Sequence, residues 1–496
     1  MDKLASIDIS LVKDLLAYDA KNPLLFNTGL FLLLFMGLMG LYALVRRHRM
    51  SRMVLIILFS LYFYYKSSAG YCFILLGVCI SDYVIGLALG SSSKVWIRKS
   101  LVVLNVVLNV GMLIWFKYFN LLYESFCSIT STRFDPLDIV LPAGISFFCF
   151  RSISYIVDIY KGRIEPCRSF LDYTFFLTFF PPLLAGPVVR AKDMLPQIRN
   201  SGSATSIMVS EGIFLVMAGL IKKVVVADYI SGNFVDRIFD NPSLYSGFEN
   251  LMGAVGFTIQ LYCDFSGYSD MAIGLALLLG FRFKDNFRAP FKAQSPTEFW
   301  KRWHISLSTW LMDYIYIPLG GNRKGNARRH ANLMTTMVIG GLWHGASWMY
   351  VIWGAYNGLL LSLHKTARKI YRAPEWLKGT KVATIGNIML TFTLVVIGMM
   401  FFRARSLEQW WEMSSRIVTD FRPEIILSFI EGYSVILIAL AGALIFHFMP
   451  SRWTARSISR FSLLPIAIQS VILAIVLFLV IQTRQSDLVP FVYLQY

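Results

Sequence analysis

Apolar and polar positions alternate along this chain in blocks of helical length. Runs long enough to cross a hydrocarbon core recur from about residue 24 to residue 481, separated by short polar or basic stretches. A spanning run of that length predicts a helix, because backbone groups in lipid must be paired within the segment. A membrane barrel would instead show short strands of alternating polarity. The pattern therefore predicts an all-α, polytopic membrane protein with roughly ten to twelve transmembrane helices.

Taken in order, the first span covers residues 24–45 and is followed at once by Arg46, Arg47, His48 and Arg49, which marks that end as cytoplasmic and the N-terminus as outside. Spans at 53–65 and 71–89 lead out and back. Lys94, Arg98 and Lys99 then fit a cytoplasmic position, and residues 101–122 lead out again to a polar loop at 128–138. Residues 1–23 carry Asp2, Lys3, Asp8, Lys13, Asp14, Asp19 and Lys21, so they read as an amphipathic lead-in rather than a cleavable signal peptide. Residues 24–496 read as one membrane domain. Its apolar stretch 139–160 holds Arg151 and Asp158, seven apart on one helical face, as a structural pair or a pore lining. Residues 170–190 contain Pro181-Pro182 and Gly186-Pro187, too many breaks for one regular helix, and predict a re-entrant element buried in protein or lining a wet cavity.

The chemistry concentrates in residues 257–358. Asp264 and Asp270 bracket Gly267, which predicts a break between two apolar helices; Asp270 is then either a helix N-cap or a carboxylate that orients a catalytic or substrate group. Residues 291–319 mix aromatic and polar side chains and predict an amphipathic helix at the cytoplasmic interface or dipping into the protein. A basic turn, Gly320 to Gly325, follows, and 333–363 reads as one long helix in which Gly340, Gly341 and Gly345 allow close packing around His344. His304 and His344 sit among tryptophans at apparent membrane depth. A buried neutral imidazole can take the proton of an attacking hydroxyl as an acyl group moves onto it. His344, in the most apolar surroundings, is the first choice. His304 is a second acid/base group, an orienter or a satisfied interfacial residue. His48, His330, His364 and His447 lie in basic loops or near span ends and read as non-chemical.

Composition narrows this further. Of 496 residues, 56% are hydrophobic and only 15% charged, which excludes an ordinary soluble protein. The net charge of +18 reads as cytoplasmic loop anchoring rather than nucleic-acid binding. Ten basic residues lie between Arg282 and Arg329 against Asp285, Glu298 and Asp313, and such a cluster suits the phosphates of a coenzyme- or carrier-borne acyl donor. Six scattered cysteines form no metal or disulfide pattern. No Gly-x-Ser-x-Gly elbow, Walker loop or His-Glu-x-x-His site occurs, which leaves hydrolase, ATP-driven pump and zinc-protease readings without support. A transporter would also break helices around ionisable groups, but matching halves are not seen; a scaffold for glycan export would make both central histidines dispensable.

The long stretch Trp303-His-Ile-Ser-Leu-Ser-Thr-Trp-Leu-Met-Asp-Tyr-Ile-Tyr-Ile-Pro-Leu-Gly-Gly-Asn-Arg323 closely resembles the membrane-bound O-acyltransferase family, and within it the branch of alginate O-acetyltransferases. Gln260 to Gly274, Leu342-Trp-His-Gly345, Gly186-Pro-Val-Val-Arg190 and the terminal Phe491 to Tyr496 support the resemblance. It implies a ring of membrane helices, with re-entrant and interfacial ones, around a tunnel or funnel in the bacterial inner membrane. His344 matches the family's catalytic histidine and His304 a second functional one. An acetyl group would pass from a cytoplasmic thioester, acetyl-CoA, toward an exported or cell-wall polysaccharide, with no permanently bound cofactor. An extracytoplasmic serine-hydrolase-like partner would complete the transfer beside a glycan export machinery. D-alanyl or other acyl transfer to an envelope polymer is the alternative. By position in the C-terminal aromatic motif, 491–496, Tyr493 is the candidate acyl carrier, with Tyr496 second. Asp270, Asn322 and Trp343 are supporting candidates, Lys301, Arg302, Arg323 and Lys324 the donor-binding ones, and no metal is expected. Met312 departs from the family pattern, where an arginine is expected.

Overall fold

A computed structural model describes residues 15–20, 22–200, 203–323, 325–370, 379–483 and 491. Among them the regular elements are all helices. The chain divides into two compact units, residues 1–204 with 279–281 and residues 205–278 with 282–496.

The first unit opens with Gly29–Val45, begun by Thr28, whose hydroxyl accepts from the Phe31 N–H. Arg49–Ser68 and Cys72–Ser91 follow, parted by a turn at Ala69 (φ 49°). Val95–Leu113 then continues through a π-helical stretch into Phe119–Thr130. The outer faces of these helices carry exposed apolar residues such as Leu33, Leu58, Phe73 and Val103, as a lipid-facing surface does. Ile145–Tyr160, by contrast, is buried on nearly every side. Its Ser152 joins a buried network around Asp82. Ser152, Asn105 and Tyr173 donate to Asp82 at 2.7, 2.7 and 2.6 Å. Arg151 and Asp158 do not pair with each other; Arg151 donates to the Phe176 carbonyl (3.1 Å) and Asp158 meets Arg163 (3.0 Å). The prolines break the chain where expected: Phe170–Thr178 stops, and residues 179–190 run irregularly and buried. Such backbone survives because protein encloses it. The Phe180 N–H donates to the Ser60 hydroxyl (3.1 Å), and the Phe180 ring packs against Phe26, Phe31, Phe35, Phe59 and Phe63.

The second unit holds the proposed chemistry. Ser206–Leu220 runs on as a π-helical stretch, Ile221–Asp228, against Gly247–Leu278, a helix of 32 residues. The expected break between Asp264 and Asp270 is absent. Gly267 serves contact rather than a turn: a Cβ on it would lie 2.8 Å from the Gly219 carbonyl oxygen, and one on Gly274 2.6 Å from that of Gly212. The glycines let two helix backbones touch. Asp270 is therefore mid-helix and caps nothing.

Two other expected long helices are interrupted, each at a histidine. Residues 291–319 resolve into a turn at Pro290–Lys292, a helix Pro296–Arg302 started by Ser295, a helix Ile305–Leu311 and a π-helical turn Met312–Tyr316, with the break at His304. Residues 333–363 belong to Gly325–His344 and Trp348–Ile370, with the break just after His344. This hairpin crosses closely: a Cβ on Gly354 would meet the Met337 carbonyl oxygen at 2.5 Å. Lys381–Arg403 follows, then Pro423–Gly432 and Ser434–Phe448, bent by 89° from each other, then the basic Ser451–Ser462, and finally Ile466–Thr483.

Among the described residues four helical runs are long and apolar enough to cross a membrane, or five with the bent pair. One of those runs, Arg49–Ser91, holds two of the segments counted from the sequence, 53–65 and 71–89. Other apolar stretches, such as Ile145–Tyr160 with 16 residues, are short and enclosed by protein rather than lipid.

Candidate active site

His304 sits where two short helices part, with φ 43° and ψ 55°. A branched or bulky side chain in this left-handed region costs of order 1 kcal/mol or more, and surrounding contacts must hold it there. They do. The Ile305 N–H donates to the Asn286 carbonyl (2.9 Å) and the Arg288 N–H to the Arg302 carbonyl (2.9 Å), tying the irregular segment 286–288 to the break. The Asn286 side chain completes the grip. Its Oδ1 accepts from the Ser306 N–H (3.2 Å) and the Ser306 hydroxyl (2.8 Å), while its Nδ2 donates to the Ser269 hydroxyl (3.1 Å). A backbone N–H can only donate, so Oδ1 is the oxygen. His304 Nδ1, 3.2 Å from that oxygen, must then be the donor. The imidazole is thereby fixed in the tautomer that leaves the lone pair on Nε2, the form a general base needs. The ring is fully buried. It lies outside the helices long enough to span a membrane, and burial pushes its pKa well below the ordinary imidazole value.

His344 is held differently. It ends the Gly325–His344 helix, is 4% exposed, and is walled by Trp343, Trp353, Phe402 and Tyr350, with ring centroids at 5.0, 5.0, 5.1 and 6.5 Å. Three of these contacts are edge-to-face, the geometry aromatic quadrupoles prefer. The next residue must be small: a Cβ on Gly345 would lie 2.7 Å from Tyr350 Cδ2.

The two histidines meet on one indole. Trp343 is 5.7 Å from the His304 ring and 5.0 Å from the His344 ring, centroid to centroid, and is itself buried. Residues forty apart in sequence thus share one aromatic wall. The remaining sequence candidates make other contacts. Asp270 is paired with Lys222 (2.6 Å), and its neighbour Lys223 with Asp264 (2.5 Å) and Asp228 (2.8 Å). Asn322 is exposed and accepts from the Tyr316 hydroxyl (2.7 Å). Lys301 and Arg323 are exposed; Arg302 is bound to Glu298 (2.7 Å) and to the Arg288 carbonyl (3.1 Å). Met312 is exposed too. Lys324, Tyr493 and Tyr496 lie outside the described residues. Phe491, from the same terminal motif, is buried against Tyr268 (4.2 Å) with the Lys223 ammonium 4.5 Å from its ring.

Sequence reasoning missed Asn286, a lone amide in a polar loop with nothing in its spacing to single it out. It read His447 as near a span end and non-chemical; the ring lies near the end of Ser434–Phe448 and is buried against Tyr262 and Phe291, beside the core that contains Trp303, Trp353 and Phe402. Among the described residues no cluster of His, Cys, Asp and Glu could hold a metal ion.

In the second unit two helix breaks thus enclose two imidazoles against one indole, a pair of candidate acid/base groups. The chain belongs to the membrane-bound O-acyltransferase family, whose family model matches residues 167–407. It is 41% identical over 396 residues to the probable alginate O-acetylase AlgI of Pseudomonas aeruginosa, covering 79% of this chain and 74% of that protein. It is 34% identical over 415 residues to the peptidoglycan O-acetyltransferase of Helicobacter pylori, covering 78% of each. The teichoic acid D-alanyltransferase of Bacillus subtilis is more distant, 25% identical over 291 residues, 56% of this chain and 73% of that one. The protein is an O-acyltransferase and a multi-pass membrane protein.

Proposed function

We propose that this protein sits in a bacterial cytoplasmic membrane and moves an acetyl group from cytoplasmic acetyl-CoA toward an extracytoplasmic polysaccharide. The observation that carries the site assignment is the shared indole: Trp343 touches both His304 and His344. In this reading an acceptor hydroxyl attacks the thioester carbonyl, an imidazole takes the hydroxyl proton, and the departing thiolate leaves as the thiol after taking up a proton. His344 is the base or proton shuttle. His304, with its lone pair directed through Nε2, is the second acid/base group. Both rings are enclosed, so neighbouring side chains must part, or a passage must reach them, before the donor can approach. Lys301, Arg302, Arg323 and Lys324 hold the donor's phosphates; exposure of Lys301 and Arg323 suits that role. Asp270 supports the site through its pairing with Lys222 rather than by touching an imidazole. Asn322 and Trp343 support it from the basic turn and the shared wall.

Tyr493 receives the acyl group at the outer face, with Phe491 as the anchor that seats this terminus. A serine-hydrolase-like exported partner then passes it to the glycan, alongside the export machinery. The similarity to acetylases of alginate and peptidoglycan, closer than that to D-alanyltransferases, favours acetyl over D-alanyl as the cargo. The test is release of free thiol when the purified protein, with its exported partner, meets acetyl-CoA. Thiol release by wild type and its loss in His344→Ala support the reading. Equal glycan acetylation in cells carrying that variant would overturn it.

A further inference from the structure

His447 lies near the end of Ser434–Phe448, outside the stretch matched by the family model, and is 6% exposed. Its Nε2 is 3.0 Å from the Phe291 N–H. A backbone amide only donates, so Nε2 carries the lone pair and, in the neutral ring, the proton must be on Nδ1. That Nδ1 is buried and makes no hydrogen bond within the described residues. Burying a donor without an acceptor costs about 1–3 kcal/mol, so a ligand that supplied an acceptor there would recover that cost.

The surroundings say what would complete it. Lys292, Lys222 and Arg302 are the charged groups close enough to act on this ring. Lys222 is matched by Asp270 and Arg302 by Glu298, whereas the Lys292 ammonium donates to the Met449 carbonyl (2.8 Å) and meets no carboxylate among its described contacts. The neighbourhood therefore has an excess of positive charge beside a preset N–H donor. It also adjoins the reaction site through a run of rings: His447 to Tyr262 at 4.8 Å, Tyr262 to Phe287 at 5.9 Å, and Phe287 to His304 at 6.4 Å. The basic helix Ser451–Ser462 follows immediately, as positive-inside anchoring places it on the cytoplasmic side where a thioester enters.

We infer that His447 is a third functional histidine: its Nδ1–H, with the Lys292 ammonium beside it, binds an acceptor oxygen of the acyl donor, a thioester carbonyl or a phosphate. This rests on the acyl-transfer reading above. The ring also ties the Pro290–Lys292 turn in place through Phe291, so the experiment must separate donation from tethering.

Two amides do so. In His447→Gln the side-chain oxygen reaches the Nε2 position and keeps the Phe291 bond but offers nothing at Nδ1. In His447→Asn the amide reaches the Nδ1 position and abandons Phe291. The full-length protein with its partner is assayed for thiol release over a range of acetyl-CoA concentrations. The expected result is a rise of about tenfold in KM for His447→Gln and a KM near wild type for His447→Asn, with Lys292→Met raising KM in the same direction. A wild-type KM in His447→Gln with loss in His447→Asn assigns the ring to tethering alone and overturns the inference. Equal behaviour of the two variants, both active or both impaired, also overturns it. A wild type that releases no thiol refutes instead the acyl-transfer reading, independently of how the variants compare.

Discussion

His304 and His344 share a wall but are positioned by opposite means. His304 is held by directional bonds: a left-handed backbone, a broken helix pair and the Asn286 amide that dictates which nitrogen bears the proton. His344 is held by shape, at the end of a regular helix inside a box of aromatic rings. Hydrogen bonds determine the tautomer and the orientation of a ring, while packing determines its place and excludes water. A site that needs a base of known protonation and a dry reaction chamber has use for both.

The comparison can be broken at either end. The largest effect is expected from His344→Ala, with a loss of thiol release of about 10²–10⁴-fold and unchanged amounts of protein in the membrane. His304→Asn should come close behind in activity while keeping the fold. Asparagine tolerates positive φ better than most residues and its amide can still reach Asn286, but it has no Nε2. A melting temperature near that of wild type, together with a 10²-fold or larger loss of rate, would show that the chemistry and the strained backbone are separable. Retained rate would remove Nε2 from the mechanism.

Asn286→Ala should lower kcat by about tenfold to a hundredfold, since freeing the His304 tautomer forfeits about 1.5–3 kcal/mol of orientation. Asn286→Asp, which keeps an acceptor oxygen, should recover part of that rate; a rate no better than that of Asn286→Ala would argue against tautomer control. Phe402→Leu loosens only the wall of His344 and should cost about threefold in kcat, with about 1 kcal/mol of stability, read by thermal melting in detergent. The gentlest probe is pH. Burial lowers the His304 pKa, so its base form persists as the pH falls. The acid limb of the rate profile should lie below about 6.5, the ordinary imidazole value; a limb at or above it would assign the limiting proton to another group.

Much of the fold was legible from hydropathy alone. The apolar runs at 24–45, 53–65 and 71–89 became helices because lipid-facing backbone has no other way to pair its polar groups. The prolines at 181, 182 and 187 announced an irregular, enclosed segment because proline removes a donor and blocks the helix. Interruptions were harder. Gly267 looked like a break and is a contact point between helices, while residues 291–319 looked continuous and are broken at His304. A glycine reports that a side chain is unwelcome, but whether a turn or a neighbouring backbone refuses it depends on what packs there.

The same division runs through the site. The sequence alone determined that this is a helical membrane protein, and it singled out residues 257–358 and, within them, His304 and His344 as candidate acid/base groups, because charge and imidazole in an apolar chain are costly to keep. Only the tertiary structure decided that the two rings meet on Trp343, that the Asn286 oxygen faces Nδ1 of one of them, and that His447, at the span end expected, is buried. Those are contacts between segments far apart in the chain, and hydrogen-bond direction is a property of three-dimensional approach that no local pattern encodes.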